Sequence, residues 1–575
     1  MSTRFLYKSK SYILNLRSRY FYPPSESALT WQLISLSLLC LATFFYGMTS
    51  YPIVDMNEGL YAEIAREMLV TRDYIIPHLN YIPYLEKPPL FYWLVAASYK
   101  VFGVSTFAAR LIPSLSAAVL SFWFWHFGIK LGKNRLGWLT GMILASGFGY
   151  VLISRIVLFD MLLTTTLSIA LCCFYLWYIK EKTCYLYQAS FALALAFLTK
   201  GLLPIAVSAF VSVLFLIVMR TPKQKILKFF NLGAISLFLA LTLPWCLLAT
   251  HKMPHFGWDY FINEQLLRLL NQRMPHDYHT GPFYFYLPYI VAYLFPWGLL
   301  IPMLFKRWHG KISDQDSLKV LCWIWFGVAL ITLSLSCAKG AYYMVIGTPP
   351  LAMLIAHRVD KNLRDSHHKP LLTLFIISSI ILAIITAYAL RYHVLPDAMH
   401  EKFVLIMGAT FLFSLLGVFL IWRYRKPMLS FILCSCLTLP LIFFGIQLEK
   451  KMQAEYNQSA LSNYIKIHNT ERPVYLFQDY EEISTLLLYL QKRLPIVDSK
   501  SRDLYLGPLS EEGRGWFISN EEFMQKVEKE KVYVAVLLIK KDNFLKLIQD
   551  KYQFCPVAES SKAVIFTNDL EECKK

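Results

Sequence analysis

Seven ionisable residues that could take part in chemistry lie at or near the ends of strongly hydrophobic segments. They are Asp55, Glu58, Glu86, Lys87, Asp160, Lys200 and Lys339. A charge inside hydrocarbon costs free energy, so ionisable groups gathered at one membrane face indicate a functional site. Carboxylates from separate helices can hold a metal, orient an amine or act as a general base. Lysines at one depth can bind an anion such as a lipid phosphate.

The acids of the first cluster also have simpler explanations. Asp55 and Glu58 precede an amphipathic segment, where they could cap a helix or favour its positive end. Asp160 lies at the outer end of a different hydrophobic segment, so Asp55 and Asp160 could instead converge on one catalytic site. Lys87, next to Glu86, could be a lysine that snorkels beside a neutralising acid.

The remaining charged residues leave similar alternatives open. Lys200 and Lys339 each stand in a short Lys-Gly connection and could serve topology alone. Glu264 and Arg268 are four residues apart, so a pair on one helix face would explain both. Four histidines raise the possibility of a zinc site, but their spacing matches no compact ligand pattern; they are His251, His255, His276 and His279.

Composition identifies the class of protein. The chain has 575 residues, 56% of them apolar and 16% aromatic, and its mean hydropathy is +0.43, which is typical of a polytopic membrane protein. The net charge of +19 does not indicate nucleic-acid binding, because the basic residues are spread over short loops instead of one stripe.

Hydropathy predicts about thirteen transmembrane helices. The predicted windows are Ala28–Gly47, Thr106–Ile129, Leu136–Ile153, Leu158–Ile179, Tyr185–Thr199, Gly201–Met219, Phe229–Thr250, Phe283–Phe305, Leu318–Cys337, Ala341–His357, Leu371–Leu390, Phe403–Trp422 and Met428–Gln447. The N-terminal segment and every second loop are rich in lysine and arginine. By the positive-inside rule the N-terminus is cytoplasmic, and an odd number of spans places the C-terminal region outside.

The outer side is predicted to carry two long segments and a domain. Residues 49–105 contain an amphipathic helix around Leu60–Leu69 and a short apolar helix at Leu90–Phe102, both expected at the membrane interface. A second outer loop covers 251–282. The membrane domain is thus 1–447, and 448–575 is predicted to be a small soluble α/β domain. Its Cys555 and Cys573 either pair as a disulfide or remain free.

The order of motifs resembles a known family. The run Asp55-Met-Asn-Glu58-Gly-Leu-Tyr61-Ala-Glu63-Ile-Ala-Arg66-Glu67-Met68, followed by Glu86-Lys87-Pro88, is similar to the 4-amino-4-deoxy-L-arabinose lipid A transferases. These are relatives of the protein O-mannosyltransferases and share the polytopic fold called GT-C. Asp160, Thr199-Lys200-Gly201, the segment from Glu264 to Arg268, Gly281-Pro282-Phe283-Tyr284 and Ala338-Lys339-Gly340 follow in the family's order, so the resemblance covers essentially the whole chain.

The resemblance implies a fold, a reaction and roles for residues. The fold would be an α-helical polytopic membrane protein of GT-C type, with a small C-terminal α/β periplasmic domain. The reaction would be the inverting transfer of a sugar from undecaprenyl phosphate to lipid A or a related glycolipid, on the periplasmic face of the bacterial inner membrane. The implied roles are catalysis by Asp55, Asp160 and Glu58, carrier-phosphate binding by Lys87, Glu86, Lys200, Arg268 and Lys339, and a substrate pocket with Tyr61, Glu264 and Tyr343.

Departures from the family pattern leave the substrate and one acid open. Where the family has Asp-Glu and then an arginine, this chain has Asn57, Glu58 and Leu60, so either Asp55 or Asn57 occupies the catalytic position. The alternative enzyme would transfer a sugar to hydroxyls of protein or polysaccharide. A transporter or flippase is a third possibility, although transporters tend to show internal repeats. We expect a monomer that binds membrane lipids and no nucleic acid; no cofactor is expected to be required, and a divalent metal remains possible.

Overall fold

The computed structural model describes residues 26–268, 270–275, 281–305, 317–367, 369–391, 397–452, 457–468, 471–548 and 552–574. Two histidines of the zinc hypothesis, His276 and His279, lie outside the described residues. The basic N-terminal segment, within 1–25, and the basic loop within 306–316 also lie outside them.

The first part of the chain is helical, with two short strands. The α-helices are α1 (Glu26–Cys40), α2 (Asn57–Thr71), α3 (Leu90–Phe102), α4 (Thr106–Lys130), α5 (Asn134–Ala145), α6 (Phe148–Ser154), α7 (Asp160–Lys180), α8 (Cys184–Lys200), α9 (Leu202–Val218), α10 (Lys223–Phe229), α11 (Leu232–Lys252), α12 (Leu287–Tyr293), α13 (Ser317–Leu335), α14 (Thr348–Arg364), α15 (Lys369–Arg391), α16 (Asp397–Tyr424), α17 (Pro427–Cys436) and α18 (Thr438–Met452). Strands β1 (His78–Leu79) and β2 (Ile82–Pro83) form an antiparallel hairpin. Leu41–Phe45 and Gly257–Leu267 are π-helical, and Trp297–Phe305 and Ala341–Gly347 are 3₁₀-helical.

Several helices can cross a membrane. Within the described ranges six are long and apolar enough by length and composition, or seven if the bent pair α5 and α6 counts as one span. Each of the thirteen predicted windows contains helical turns, but not all are single straight helices, and the number of membrane crossings stays a prediction. The window Leu136–Ile153 bends by 69° between α5 and α6, and Phe283–Phe305 divides into α12 and a 3₁₀ segment around Pro296 and Pro302, because proline supplies no backbone N–H to a helix.

The C-terminal part forms a six-stranded sheet with helices. The strands are β3 (Val474–Phe477), β4 (Ile496–Val497), β5 (Phe517–Ile518), β6 (Tyr533–Leu537), β7 (Cys555–Glu559) and β8 (Ala563–Thr567), in the order β5-β4-β3-β6-β8-β7. The first four of that order run parallel, and β6, β8 and β7 pair antiparallel. The helices are α19 (Ser459–His468), α20 (Ser484–Leu490), α21 (Asn520–Val527) and α22 (Lys541–Ile548), with 3₁₀ turns at Glu481–Ile483, Gly507–Leu509 and Leu538–Lys540.

The sheet agrees with most of the sequence prediction. Five strands coincide with those that the sequence predicts, at Val474–Phe477, Pro495–Val497, Trp516–Ile518, Val532–Leu538 and Ala563–Phe566. The sequence does not predict β7, because Pro556 interrupts its pattern at the edge of the sheet. Cys555 and Cys573 are joined as a disulfide. On one sheet face, Val534 and Phe566 pack with α21 and α22; on the other, Leu476 belongs to the same buried cluster as residues of α2 and α3.

The amphipathic helix α2 is present, but its polar face is covered. Glu63, Arg66 and Glu67 are all buried. Glu63 accepts two hydrogen bonds from the Arg66 guanidinium, at 2.6 and 2.7 Å. Helix α20 approaches so closely that a Cβ at Gly59 would lie 2.7 Å from the Ser484 hydroxyl. The polar side of α2 therefore faces the C-terminal sheet region and not water.

Candidate active site

A cavity opens where several helix ends meet the first outer segment and the C-terminal region. Its lining residues are Asn57, Tyr61, Tyr84, Glu86, Lys87, Phe159, Asp160, Lys200, Arg268, Arg273, Ala338, Lys339, Tyr342, Tyr343, Arg502 and Asp503. Six of these side chains are cationic and three are acidic. A cavity with that excess of positive charge suits an anionic ligand.

Asp160 and Lys200 form the ion pair at one side of the cavity. Asp160 begins α7 and Lys200 ends α8, and the Lys200 ammonium donates to Asp160 Oδ1 over 2.6 Å. The same ammonium lies 4.1 Å from the ring centre of Tyr343, a cation–π contact. Asp160 Oδ2 is buried and has no hydrogen-bond partner among the described residues. That oxygen can accept a hydrogen bond from a bound substrate.

The turn after Lys200 is held in place by the outer loop. Gly201 has φ +71°, which glycine adopts without strain. A Cβ at this position would lie 2.3 Å from the Tyr260 hydroxyl, so the loop turn Gly257–Leu267 packs directly against the Lys-Gly connection. A role for Lys200 in membrane topology alone does not explain its buried contact with Asp160.

A chain of alternating charges forms the opposite side. Arg273 donates to Glu86 Oε1 over 2.5 Å and to Glu264 Oε1 over 2.6 Å. Lys87 lies 3.3 Å from Glu86 Oε2, and Arg268 lies 3.6 Å from Glu264. Although burial raises the pKa of Glu86, the neighbouring Arg273 and Lys87 outweigh burial and hold that pKa below its usual value. Glu86 is therefore ionised, and it orients two cations at the cavity wall.

Lys339 lines the cavity, but its ammonium is already engaged. It donates to the backbone oxygens of Leu333 and Ser334, over 3.0 and 2.7 Å. These carbonyls belong to the last turn of α13, where a cation is stabilised by the helix dipole. Lys339 thus fixes the end of α13 and adds positive charge near the cavity.

Tyr61 and Asn57 form a third part of the wall. The Tyr61 hydroxyl donates to Asn57 Oδ1 over 3.3 Å, and its ring centre lies 4.3 Å from that of Phe159. Phe159 immediately precedes Asp160, so this packing joins the first turn of α2 to the start of α7. Asn57, which the sequence left as an alternative to Asp55, is the one of the two that lines the cavity.

Asp55 and Glu58 are buried next to the cavity but do not line it. Asp55 accepts hydrogen bonds from Gln458 Nε2 at 2.7 Å and from the Thr485 amide at 3.0 Å, so its carboxylate faces the C-terminal region. Glu58 is held by Arg110, which donates two hydrogen bonds to it at 2.7 and 2.8 Å. These contacts hold both acids in the fold, and a catalytic role for either of them stays a prediction.

Three charged residues of the cavity are absent from the site that the sequence predicts. Arg273 lies in the second outer loop, after the motif from Glu264 to Arg268, and Arg502 and Asp503 stand in a loop of the C-terminal region that carries no motif. No local signal points to Arg502 or Asp503, because they reach the cavity only through the docking of the sheet region.

A metal site would need several clustered ligands. Across the described ranges, no group of three or more His, Cys, Asp or Glu side chains is arranged to hold a metal ion. His251 and His255 stand at the end of α11 and just after it, and neither lines the cavity.

Comparison with known proteins agrees with this geometry. Residues 31–261 match the family model described as dolichyl-phosphate-mannose-protein mannosyltransferase. The fold is similar to the crystal structure of ArnT from Cupriavidus metallidurans bound to undecaprenyl phosphate, with a TM-score of 0.82 and 20% identity over 94% of this chain and 99% of that one. The protein is therefore a polytopic membrane protein with the GT-C fold and a C-terminal sheet region.

Several curated relatives of the chain carry the same enzyme name. Each of the following is an undecaprenyl phosphate-alpha-4-amino-4-deoxy-L-arabinose arabinosyl transferase. The second such enzyme of Proteus mirabilis is 29% identical over 56% of this chain and 58% of its own length. The enzyme of Aeromonas salmonicida is 30% identical over 58% of this chain and 61% of its own length. The enzyme of Photorhabdus laumondii is 25% identical over 86% of this chain and 90% of its own length. The chain is thus similar to these transferases over more than half of its length. It spans less than two thirds of the length of the first of these relatives.

Proposed function

We propose that this protein transfers a sugar, 4-amino-4-deoxy-L-arabinose or a related one, from undecaprenyl phosphate to lipid A or a related glycolipid. The observation that carries the proposal is a single cavity lined by Lys87, Lys200, Arg268 and Asp160, in which one carboxylate oxygen of Asp160 has no hydrogen-bond partner among the described residues. The names of the curated relatives support this donor. We place the reaction at the periplasmic face of the bacterial inner membrane, with a cytoplasmic N-terminus.

The chemistry follows from the charges. An acceptor oxygen attacks the anomeric carbon, a new carbon–oxygen bond forms, and the bond from that carbon to the carrier phosphate breaks with inversion. The leaving phosphate takes the electron pair, and the lysine and arginine side chains stabilise the charge that develops on it. A lipid A phosphate is already anionic as an acceptor and needs no base.

Among the acids, we propose Asp160 as the residue that contacts the sugar. Its Oδ1 is fixed by Lys200, and its Oδ2 is available to a substrate hydroxyl or amine. If the acceptor is a hydroxyl, Asp160 is also placed to take its proton. Asp55 remains the acid favoured by the family's motif order, but its hydrogen bonds to Gln458 and Thr485 support a role in holding the C-terminal region.

The remaining site residues follow from their contacts. Lys87, Lys200 and Arg268 would bind the carrier phosphate, with Glu86 and Glu264 orienting the cations and Lys339 adding charge from the end of α13. Tyr61 and Tyr343 would pack against the sugar. We propose a monomer with a membrane domain at 1–447 and a periplasmic domain at 448–575. Because lysine and arginine side chains stabilise the leaving phosphate, no proposed step requires a divalent metal.

A second acceptor class has a specific observation behind it. The match of 31–261 to a family of protein mannosyltransferases favours a hydroxyl of a protein or polysaccharide as the alternative acceptor. In that case the same cavity would bind the lipid phosphate, and the acceptor would be deprotonated on attack.

The decisive experiment is reconstitution. Purified full-length protein in lipid nanodiscs would be incubated with undecaprenyl phosphate-aminoarabinose and lipid A, and the products measured by mass spectrometry. We expect lipid A whose mass has increased by one sugar. No sugar transfer to lipid A, while transfer to a protein or polysaccharide occurs, would replace the first proposal with the second. Movement of the donor across vesicles without any new glycosidic bond would favour a transporter.

A further inference from the structure

Asp503 differs from the other acids of the cavity in its contacts. Asp160 is paired with Lys200, and Glu86 with Arg273 and Lys87. The carboxylate of Asp503 also lines the cavity, but within the described part of the chain no hydrogen bond or ion pair to it is formed. Asp503 is partly buried, and a carboxylate that lines a cavity without a protein partner is available to a group of a bound ligand.

The backbone around Asp503 is fixed by another acid. The Glu481 carboxylate accepts hydrogen bonds from the Ser501 hydroxyl at 2.5 Å and from the amides of Arg502 and Asp503, both at 2.8 Å. The Ser501 hydroxyl also accepts from the Leu504 amide at 3.1 Å. Because these bonds use the Asp503 amide and not its carboxylate, the side chain is held toward the cavity while its oxygens stay available.

The surroundings of Asp503 select the kind of group that it can bind. Burial raises the pKa of Asp503 well above its usual value, and the nearby carboxylates of Glu86 and Glu481 raise it further, which outweighs the lowering by Arg273 and Lys87. A phosphate would be repelled by these acids and is better matched by the lysines. A group that donates hydrogen bonds, above all a cationic one, is the complement of this corner.

We propose that Asp503, supplied by the C-terminal region, binds a hydrogen-bond-donating group of the transferred sugar and thereby determines which sugar the cavity accepts. This inference rests on the proposed function, since it assumes a sugar next to the phosphate site. The donating group is an ammonium or a hydroxyl. In either case the C-terminal region forms part of the donor site instead of only covering it.

The test is a binding measurement on the full-length protein with three carriers. They are undecaprenyl phosphate without a sugar, with 4-amino-4-deoxy-L-arabinose, and with arabinose, which has a hydroxyl in place of the amine. The variant is Asp503→Asn, which preserves shape and the bonds of Glu481. The matched control is Glu511→Gln, because Glu511 is exposed in the same loop and does not line the cavity.

For Asp503→Asn we expect unchanged binding of the bare carrier and roughly ten- to hundredfold weaker binding of the amino-sugar carrier, the loss typical of one charge-assisted hydrogen bond. If only the amino-sugar carrier is affected, the group is the ammonium; if both sugar carriers are, it is a shared hydroxyl. Unchanged binding of both sugar carriers would overturn the inference. So would an equal loss for the bare carrier, which would reveal a merely structural role.

The outcome separates this inference from the proposed function. Suppose that Asp503→Asn binds the sugar carriers more weakly than the wild-type protein, as described, but the wild-type protein forms no product. Then the proposed transfer is wrong and the sugar contact stands. If product forms and Asp503→Asn binds every carrier like the wild-type protein and Glu511→Gln, the transfer stands and the sugar contact is wrong.

Discussion

The first residue of α7 and the last residue of α8 are joined by an ion pair: Lys200 Nζ lies 2.6 Å from Asp160 Oδ1. The pair fixes one carboxylate oxygen and leaves the other without a hydrogen-bond partner among the described residues, in the wall of a cavity that is rich in cations. A carboxylate held in this way is preorganised, because its orientation does not have to be set when the substrate arrives.

Asp160→Asn is expected to reduce transfer by about a hundredfold or more, as removal of a positioned polar group usually does. The change removes the charge that orients Lys200, and it weakens the side chain of residue 160 as a hydrogen-bond acceptor for the substrate. The measurement is the initial rate of sugar transfer in nanodiscs. The control is Asp73→Asn, since Asp73 pairs with Lys252 at a partly exposed position away from the cavity. A rate for Asp160→Asn within threefold of that control would reject the role of Asp160.

Lys87→Ala is expected to weaken binding of undecaprenyl phosphate by about ten- to hundredfold, the effect of losing a charged contact to phosphate. Binding would be measured with the bare carrier, because the lost contact is to the phosphate. Lys252→Ala provides the comparison, as that lysine is more exposed and does not line the cavity. Equal affinities of the two variants would show that Lys87 does not contact the phosphate.

Asp55→Asn is expected to retain at least a third of the wild-type transfer rate, because Asp55 faces Gln458 and Thr485 and not the cavity. Loss of transfer by about a hundredfold in a normally folded variant, the size of effect expected for a general base, would restore Asp55 as a catalytic acid. The rate assay needs a parallel check of folding by gel filtration in detergent.

The stability of the Asp55 contact should depend on pH. Burial raises the pKa of Asp55 to about 6, even though hydrogen bonds from Thr485 and Gln458 lower it. Because this value lies above that of the unfolded chain, the neutral carboxyl stabilises the fold at low pH, and the contribution is lost as the pH rises through 6. The melting temperature of Asp55→Asn should therefore gain on that of the wild-type protein between pH 4 and pH 7. A constant difference would contradict this.

Arg110→Ala is expected to destabilise the protein by about 3–5 kcal/mol, the usual effect of removing one partner of a buried ion pair. Arg110 is buried, bonds Glu58 twice and also donates to the carbonyls of Met48, Tyr51 and Pro52. Thermal unfolding in detergent measures the loss. For comparison, Arg135→Ala breaks a partly exposed pair with Asp360 and should cost about 1 kcal/mol or less. A similar effect of both variants would disprove the structural role of Arg110.

Removal of divalent metals is expected to leave transfer unchanged, because cationic side chains of the cavity can stabilise the leaving phosphate. The measurement is the initial rate before and after dialysis against EDTA. A loss of activity that returns on addition of magnesium or manganese would show that a metal takes part.

The sequence by itself determined the membrane class, most of the helical regions, the α/β character of the C-terminal region and the residues worth testing. These depend on local physics: apolar length for a span, alternation for a strand, and the cost of a charge at a span end. Lys87, Lys200 and Asp160 were found in this way, since each stands at a boundary that hydropathy makes visible.

Only the tertiary structure decided which of these side chains meet. Asp55 and Asn57 are two residues apart, yet one faces the C-terminal region and the other faces the cavity, and no pattern in the chain separates them. Asp503 reaches the site from more than 400 residues after Glu86, because packing of distant segments sets side-chain proximity. For the same reason the amphipathic pattern of α2 predicted only a helix at the membrane interface and not the covering of its polar face, since its partner, α20, comes from the C-terminal region of the chain.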